Sequence, residues 1–250
     1  FTLHRGEILA LTGLVGAGRS ETVKALFGLN PPDSGEIYLH DKKIDIKNVS
    51  QAIENKIAFI PEDRHEEGLI LAMSMKDNVT LPVLKRILSP LRFINRHEVD
   101  RVAEEYVKKL SIRPSQIDKL AQNFSGGNQQ KIAVAKWLVS KPDILIIDEP
   151  TSQLDPEGTE SVFAIIKAMK DKQKTIILVE HKIDLIAEYA DDVLVLKDGE
   201  LIAAGDKNEI LTDTSLMEKG VALPQVVLLT KKLQKAGLPL TKIPVTEKQA

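Results

Sequence analysis

Cysteine is missing from all 250 residues. Its absence excludes disulfides, thiolate catalysis and Cys-ligated zinc, and it fits a reducing compartment. Neither sign of charge dominates: 34 Lys and Arg against 36 Asp and Glu leave a formal net charge of −2. That balance offers little electrostatic attraction for a nucleic acid, and none is expected as a partner. No apolar run approaches the roughly 18 residues that a membrane-spanning helix requires. An initiator Met is lacking too. The chain opens Phe1-Thr2-Leu3-His4 without a charged-then-apolar leader, which reads as a start inside a longer reading frame and not as a secreted precursor. What is present is an ordinary globular balance, 43% hydrophobic and 28% charged residues, in a chain long enough to bury most of its apolar surface without staples.

Short apolar runs alternate with helical spacing along the chain. Glu7 to Thr12, Ile37 to Leu39, Ile57 to Ile60, Ile144 to Ile147 and Thr175 to Val179 read as strands, buried ones where the run is apolar throughout. Ser20 to Phe27 carries a helical pattern, as do Val99, Val102, Ala103, Tyr106 and Val107, then Ile132, Ala135 and Val139, then Val162, Ile165, Ile166 and Met169. Asp192 to Leu196 and Leu201 to Ala204 flank Asp198-Gly199, a hairpin signal. Strands alternating with helices imply an α/β fold with a mostly parallel sheet covered on both faces. The helical stretch from about Lys76 to Val139 looks inserted between the third and fourth strands.

The chemistry concentrates at strand ends. Gly13-Leu14-Val15-Gly16-Ala17-Gly18-Arg19-Ser20 has P-loop spacing, with Arg where the pattern wants Lys. Glycines let backbone N–H groups close around phosphate oxygens at a helix N-terminus. Ser20 would supply a hydroxyl to Mg²⁺ and Arg19 a cation to the outer phosphates. A glycine-rich turn with no ligand is the competing reading. It weakens once the apolar strand ending in Asp148 and Glu149 is noticed, because the first carboxylate can support a Mg²⁺ shell and the second can orient or deprotonate a water.

Phe124-Ser125-Gly126-Gly127-Asn128-Gln129-Gln130 resembles the signature motif of ABC-transporter ATPases. Glu149-Pro150-Thr151-Ser152-Gln153-Leu154-Asp155 looks like the family's Walker B end and D-loop, and Leu178-Val179-Glu180-His181 like its last core strand with the switch histidine. Residues 6–140 resemble the second ATPase domain of tandem monosaccharide-importer ATPases, on the P-loop with Arg19, on Pro61-Glu62-Asp63-Arg64 with Gly68-Leu69, and on 125–131. Glu62 stands where most members place the Q-loop glutamine. Residues 151–250 look instead like ATPases of energy-coupling-factor and cobalt-type importers, and His181 departs from the sugar-type pattern. A natural hybrid branch and an engineered chimera joined within 131–151 both account for this, with the chimera slightly favoured.

The resemblance implies a P-loop NTPase fold of RecA-like type with an inserted helical subdomain. Its core would be 1–61 and 141–212, the signature-motif subdomain 62–140 and a C-terminal extension 213–250. Only 12 residues precede Gly13, so the family's N-terminal strand and its adenine-stacking aromatic are expected to be absent. Such stacking is worth about 1–3 kcal/mol by analogy. The implied ligands are ATP and Mg²⁺. The P-loop residues with Ser125, Gly126, Gly127 and Asp155 would hold nucleotide, Ser20 and Asp148 the metal, and Glu149, His181 and Glu62 the catalytic step. The implied partners are a second ABC ATPase domain and transmembrane permease subunits, which would place the chain on the cytoplasmic face of the cell membrane. The segment Leu81, Pro82, Val83, Leu84, Ile87, Leu88, Leu91 and Phe93 reads equally as internal packing or as a docking surface. In the tail, Val226, Leu229 and Leu233 with Val227 and Lys231 outline an amphipathic helix before Pro239 and Pro244 break regular structure, and 221–250 are expected to form a peripheral extension outside the ATPase core. A degenerate, non-hydrolysing nucleotide-binding module remains the alternative function, alongside a chimeric ATPase without a physiological transport partner.

Overall fold

The computed structural model describes residues 1–89, 92–240 and 242–249. Among them six strands form one sheet in the order β4-β5-β6-β1-β7-β8, where β1 is Ile8–Gly13, β4 Ile57–Ile60, β5 Ile144–Asp148, β6 Thr175–Val179, β7 Asp192–Lys197 and β8 Glu200–Asp206. The first five run parallel and β8 returns antiparallel on the Asp198-Gly199 turn. A separate hairpin pairs β2 (Ile37–Leu39) with β3 (Lys42–Ile44). Sequence reading missed β3, whose two lysines break any apolar alternation. Its turn is nonetheless regular: His40 and Asp41 both take positive φ, +50° and +61°, the geometry that suits a two-residue hairpin.

Alternation along the central strands sends residues to opposite faces. Ile8 joins a core cluster with Ala58, Ile60, Leu145, Ile147 and Leu178, covered by α5 (Arg96–Leu110), α6 (Gly126–Leu138) and α7 (Pro156–Lys170). Leu9 and Leu11 face the other way, towards Val23 of α1 (Arg19–Leu26), Phe27 at its C-cap and Ala52 of α2 (Val49–Glu54). The α/β architecture with helices on both faces is therefore as the sequence implies.

The inserted helical stretch is not continuous. It divides into α3 (Met75–Thr80), α4 (Leu84–Ile87), α5 and α6. Pro82 sits in the 3₁₀ turn between the first two, Asn95 caps α5, and Ser111 ends it in the left-handed conformation at φ +50°. Of its apolar segment, Val83 and Ile87 are buried, Leu88, Phe93 and Ile94 are exposed, and Leu91 lies outside the described residues.

The tail corrects an expectation. After α8 (Ile183–Tyr189), α9 (Lys207–Ile210) and α10 (Ser215–Glu218), helix α11 (Gln225–Lys235) packs Val227 into a third cluster with Ala10, Ile186, Val193 and Val195. Val221, Leu223 and Val245 are buried in the same cluster. The buried side of α11 runs through Val227 and Thr230, while Leu229 and Leu233 face solvent. Val221, Leu223, Val227 and Val245 thus cover part of the core sheet, because β1 and β7 present alternate residues there that would otherwise meet water.

Candidate active site

Register brings the chemistry to one edge. Leu11 and Asp148 both pair with Val179, so the residues just beyond β1, β5 and β6 emerge side by side at the carboxyl ends of parallel strands, where open α/β sheets bind ligands. The first of these segments is the glycine loop. Gly13 has φ +151°, and a Cβ there would stand 2.1 Å from the Leu196 carbonyl. Gly18 occupies the N-cap of α1 at φ +89° with no side chain to cap it, which leaves first-turn N–H groups free for an anion. Leu14 and Val15 at the crest of the loop are exposed.

Beneath the loop, five side chains pair in two groups. Ser20 Oγ donates to Asp148 Oδ1 at 3.1 Å. Arg19 Nη2 stands 2.9 Å from Glu149 Oε1, and His181 Nδ1 3.2 Å from Glu149 Oε2. Glu149 itself holds φ +38°, an uncommon conformation for a side-chain-bearing residue; its N–H donates to the Val179 carbonyl and its carbonyl accepts from Ser152 N–H. Burial pushes the Asp148 carboxyl up to about 6, against the Ser20 hydrogen bond, with the charges of Glu62 and Glu149 adding to the rise. Desolvation in the cleft and the charge of Glu149 also raise Glu62, although its side chain reaches solvent.

Two buried atoms here lack partners among the described residues: Arg19 Nη1 and Asp148 Oδ2. A buried donor and a buried carboxylate oxygen left unpaired are costly unless a ligand completes them. Asp148 Oδ2 beside the Ser20 hydroxyl is an oxygen donor set of the kind Mg²⁺ prefers, and Arg19 Nη1 below the glycine loop suits a phosphate oxygen. The residues fit both groups.

Other anticipated positions lie apart. Ser125 is the N-cap of α6 with Gly126 and Gly127 in its first turn, and no hydrogen bond among the described residues joins 125–127 to 13–20. Asn128 Nδ2 donates to Ser125 Oγ at 2.9 Å while its Oδ1 accepts from Arg113 N–H. Asp155 spends its carboxylate on capping α7, accepting from Gly158 N–H at 2.7 Å. Glu180 was passed over in favour of its neighbour His181. It is fully buried, accepts from Thr151 Oγ1 and from the N–H groups of His181 and Lys182, and stands 3.5 Å from His181 Nδ1. An acid directly after the apolar run Ile176–Val179 is the available signal.

Residues 1–152 match the family described as ABC transporter. The chain is 39% identical over 222 residues to the ribose import ATP-binding protein RbsA of Clostridium tetani, which covers 89% of this chain and 44% of that protein. It is 36% identical to RbsA of Clostridium perfringens over the same shares, so it spans less than half the length of these relatives. Among solved structures, cbiO1 of Clostridium perfringens, part of the ABC transporter complex cbiONQ, is 27% identical at a TM-score of 0.72, covering 92% of this chain and 90% of that one. A nucleotide-free ATP-binding cassette from an ABC transporter shares the fold at a TM-score of 0.76 and 21% identity, covering 89% and 90%. A dimeric bacterial ABC transporter cassette is 26% identical at 0.70, covering 83% and 88%. The RbsA and cbiO1 resemblances each extend across residues 131–151.

Proposed function

This chain belongs to the ABC transporter family, and we propose that it binds and hydrolyses Mg-ATP as the ATP-binding subunit of a sugar importer. The observation that carries the proposal is the convergence of Arg19, Ser20, Asp148, Glu149 and His181 under a glycine loop with free N–H groups. Sugar cargo draws its support from the ribose import proteins, which match at higher identity than cbiO1.

In this reading the loop 13–20 and the N-terminus of α1 cradle the phosphates, and Arg19 turns its unpaired Nη1 to an outer phosphate oxygen. Ser20 and Asp148 hold the magnesium ion, which when bound supplies positive charge to the β- and γ-phosphates. Glu149 accepts the proton of the attacking water, aligned by His181, whose ring is steered by Glu180. Glu62, at the cleft mouth, contacts that water or the metal's surroundings. Catalysis is then positioning plus charge stabilisation.

The separation of 125–127 from the loop has a role in this scheme. Ser125 and Gly127 of one chain would close over nucleotide held by a second ATPase cassette, and Asp155 would line the same junction. The dimeric cassette among the structural neighbours supports that arrangement. The core 1–61 with 141–212 and the helical 62–140 would move relative to each other on closure, and the exposed Leu88, Phe93 and Ile94 would face membrane-embedded permease subunits, which puts the chain at the cytoplasmic face of the membrane.

Glu149→Gln tests the assignment. The amide keeps the shape and cannot accept a proton, so steady-state ATP turnover should fall at least about a hundredfold while ATP binding persists. Turnover equal to that of the unmodified chain would remove Glu149 from the mechanism; a wild-type chain that binds ATP without hydrolysing it would favour the non-hydrolysing module.

A further inference from the structure

Arg64 lies outside the catalytic cluster, and the chemistry above does not use it. The residue is only 5% exposed, and burial lowers its pKa. No ion pair among the described residues involves it. Burying a cation without a direct ion pair is costly even with the charge of Asp63 nearby, and an apolar side chain of similar size would fill the space without that cost. A guanidinium in such a place needs a reason.

Its donors are shared among separate segments of chain. Nε donates to Gln129 Oε1 and Nη1 to the Ser152 carbonyl, each at 3.4 Å. Nη2 lies so near Gly126 that a Cβ added there would stand 3.0 Å from it. Neighbouring bonds close the same junction: His65 Nε2 meets Gln129 Oε1 at 2.8 Å, and Ser152 Oγ donates to the Glu62 carbonyl at 3.2 Å. Three segments meet here. One is the π-helical turn Arg64–Gly68, which follows Glu62 through its N-cap Asp63; the second is the opening of α6, with Gly126 and Gln129; the third is the loop from Glu149 to Asp155.

We infer that Arg64 is a positioning residue whose planar guanidinium fork ties the Glu62 turn, the first turns of α6 and the loop after β5 into one unit, so that displacement of any one is passed to the other two. Glu62 and Glu149, proposed for hydrolysis, lie in or beside two of these segments, and Ser125 and Gly127, proposed to close over nucleotide, lie at the third. None belongs to the loop that grips the phosphates. Loss of the fork therefore loosens the closed arrangement and leaves phosphate capture by 13–20 intact. Lysine supplies the charge from a single point and cannot reach separate acceptors at once. The consequence for turnover rests on the ATPase reading; the mechanical junction does not.

The test compares the purified full chain with Arg64→Met and Arg64→Lys, reading kcat, ATP affinity and amide hydrogen exchange. In both variants kcat should fall about tenfold or more, since small misplacements of catalytic groups are expensive, while ATP affinity changes less than about threefold. Exchange should quicken at 126–130 and 151–154 and stay unchanged in α1. Wild-type kcat in either variant overturns the inference, and so does a parallel loss of ATP affinity with faster exchange in α1, which would mark general destabilisation. If the wild-type chain proves unable to hydrolyse ATP, the ATPase reading fails and the exchange pattern alone decides for or against the junction.

Discussion

Arg19 Nη2 lies 2.9 Å from Glu149 Oε1, with the two side chains only 7% and 13% exposed. The cation of the candidate phosphate loop and the carboxylate proposed as base are thus paired with one another. A phosphate oxygen arriving at the unpaired Nη1 would compete for the same guanidinium and free Glu149 to accept a proton. On the ATPase reading the pair would link phosphate capture to activation of the base, and Arg19 would restrain as well as bind.

Replacing Arg19 with Lys should therefore raise kcat. A compact ammonium leaves Glu149 less firmly held and places its charge nearer the transferring phosphoryl group. An increase of about tenfold, equivalent to about 1.4 kcal/mol of barrier, is expected with a smaller change in ATP affinity. Steady-state turnover of the two chains side by side decides it, and a slower Lys variant would mean that the fork is the better fit for this loop.

Asp148 sets a pH dependence. In the folded chain its carboxyl holds a proton up to about 6 because it is buried, whereas an unfolded aspartate releases it near 3.9. Between these values the native state binds more protons than the unfolded one, so the ligand-free chain gains stability from this group as pH falls from about 7 towards 4 and loses it as pH rises through 6. The full difference is about 3 kcal/mol. Denaturation midpoints of wild type and Asp148→Asn across this range isolate it: the gap between the chains should change by that amount, and a constant gap would contradict the assignment.

Gly13→Ala should be severe. The new Cβ meets the Leu196 carbonyl at 2.1 Å and the backbone sits at φ +151°, so β1 and β7 must part to admit it. A loss above about 3 kcal/mol is expected from clash and strain together. Gly16→Ala, at φ +79° but with nothing within 4 Å, carries the strain alone and should cost less by thermal denaturation.

The tail can be dissected by two substitutions on one helix. Val227 is fully buried and Leu229 is 57% exposed. Val227→Ala should cost about 1–3 kcal/mol and Leu229→Ala within about 0.5 kcal/mol, read as shifts in urea midpoint at constant slope. The reverse order would restore the stripe suggested by apolar spacing alone.

That stripe shows where sequence reading ran short. Val226, Leu229 and Leu233 lie at helical spacing, but which side of α11 is buried depends on what it lands on, here Val193 and Val195 of β7 and Ile186 of α8. Period alone cannot choose between two half-apolar faces. β3 escaped for a related reason: its lysines point outward, and only the backbone at His40 and Asp41 betrays the turn. The helical insertion was recognised in kind but not in its breaks, which follow from caps and one proline.

By itself the sequence determined the parallel core and most of its site. Apolar runs long enough to be buried on both faces could only be central strands, and glycines, a hydroxyl and carboxylates at the ends of those runs had to meet at one sheet edge once the strands aligned. Tertiary structure alone decided which charges pair across that edge. Arg19 and Glu149 are 130 positions apart in sequence, and Arg64 takes its partners from Gln129 and Ser152. Such contacts depend on side-chain reach and on the register of non-adjacent strands and helices, quantities that spacing along the chain does not carry. The burial that raises Asp148 is of the same kind, since it belongs to everything packed around the carboxyl and not to the residue itself.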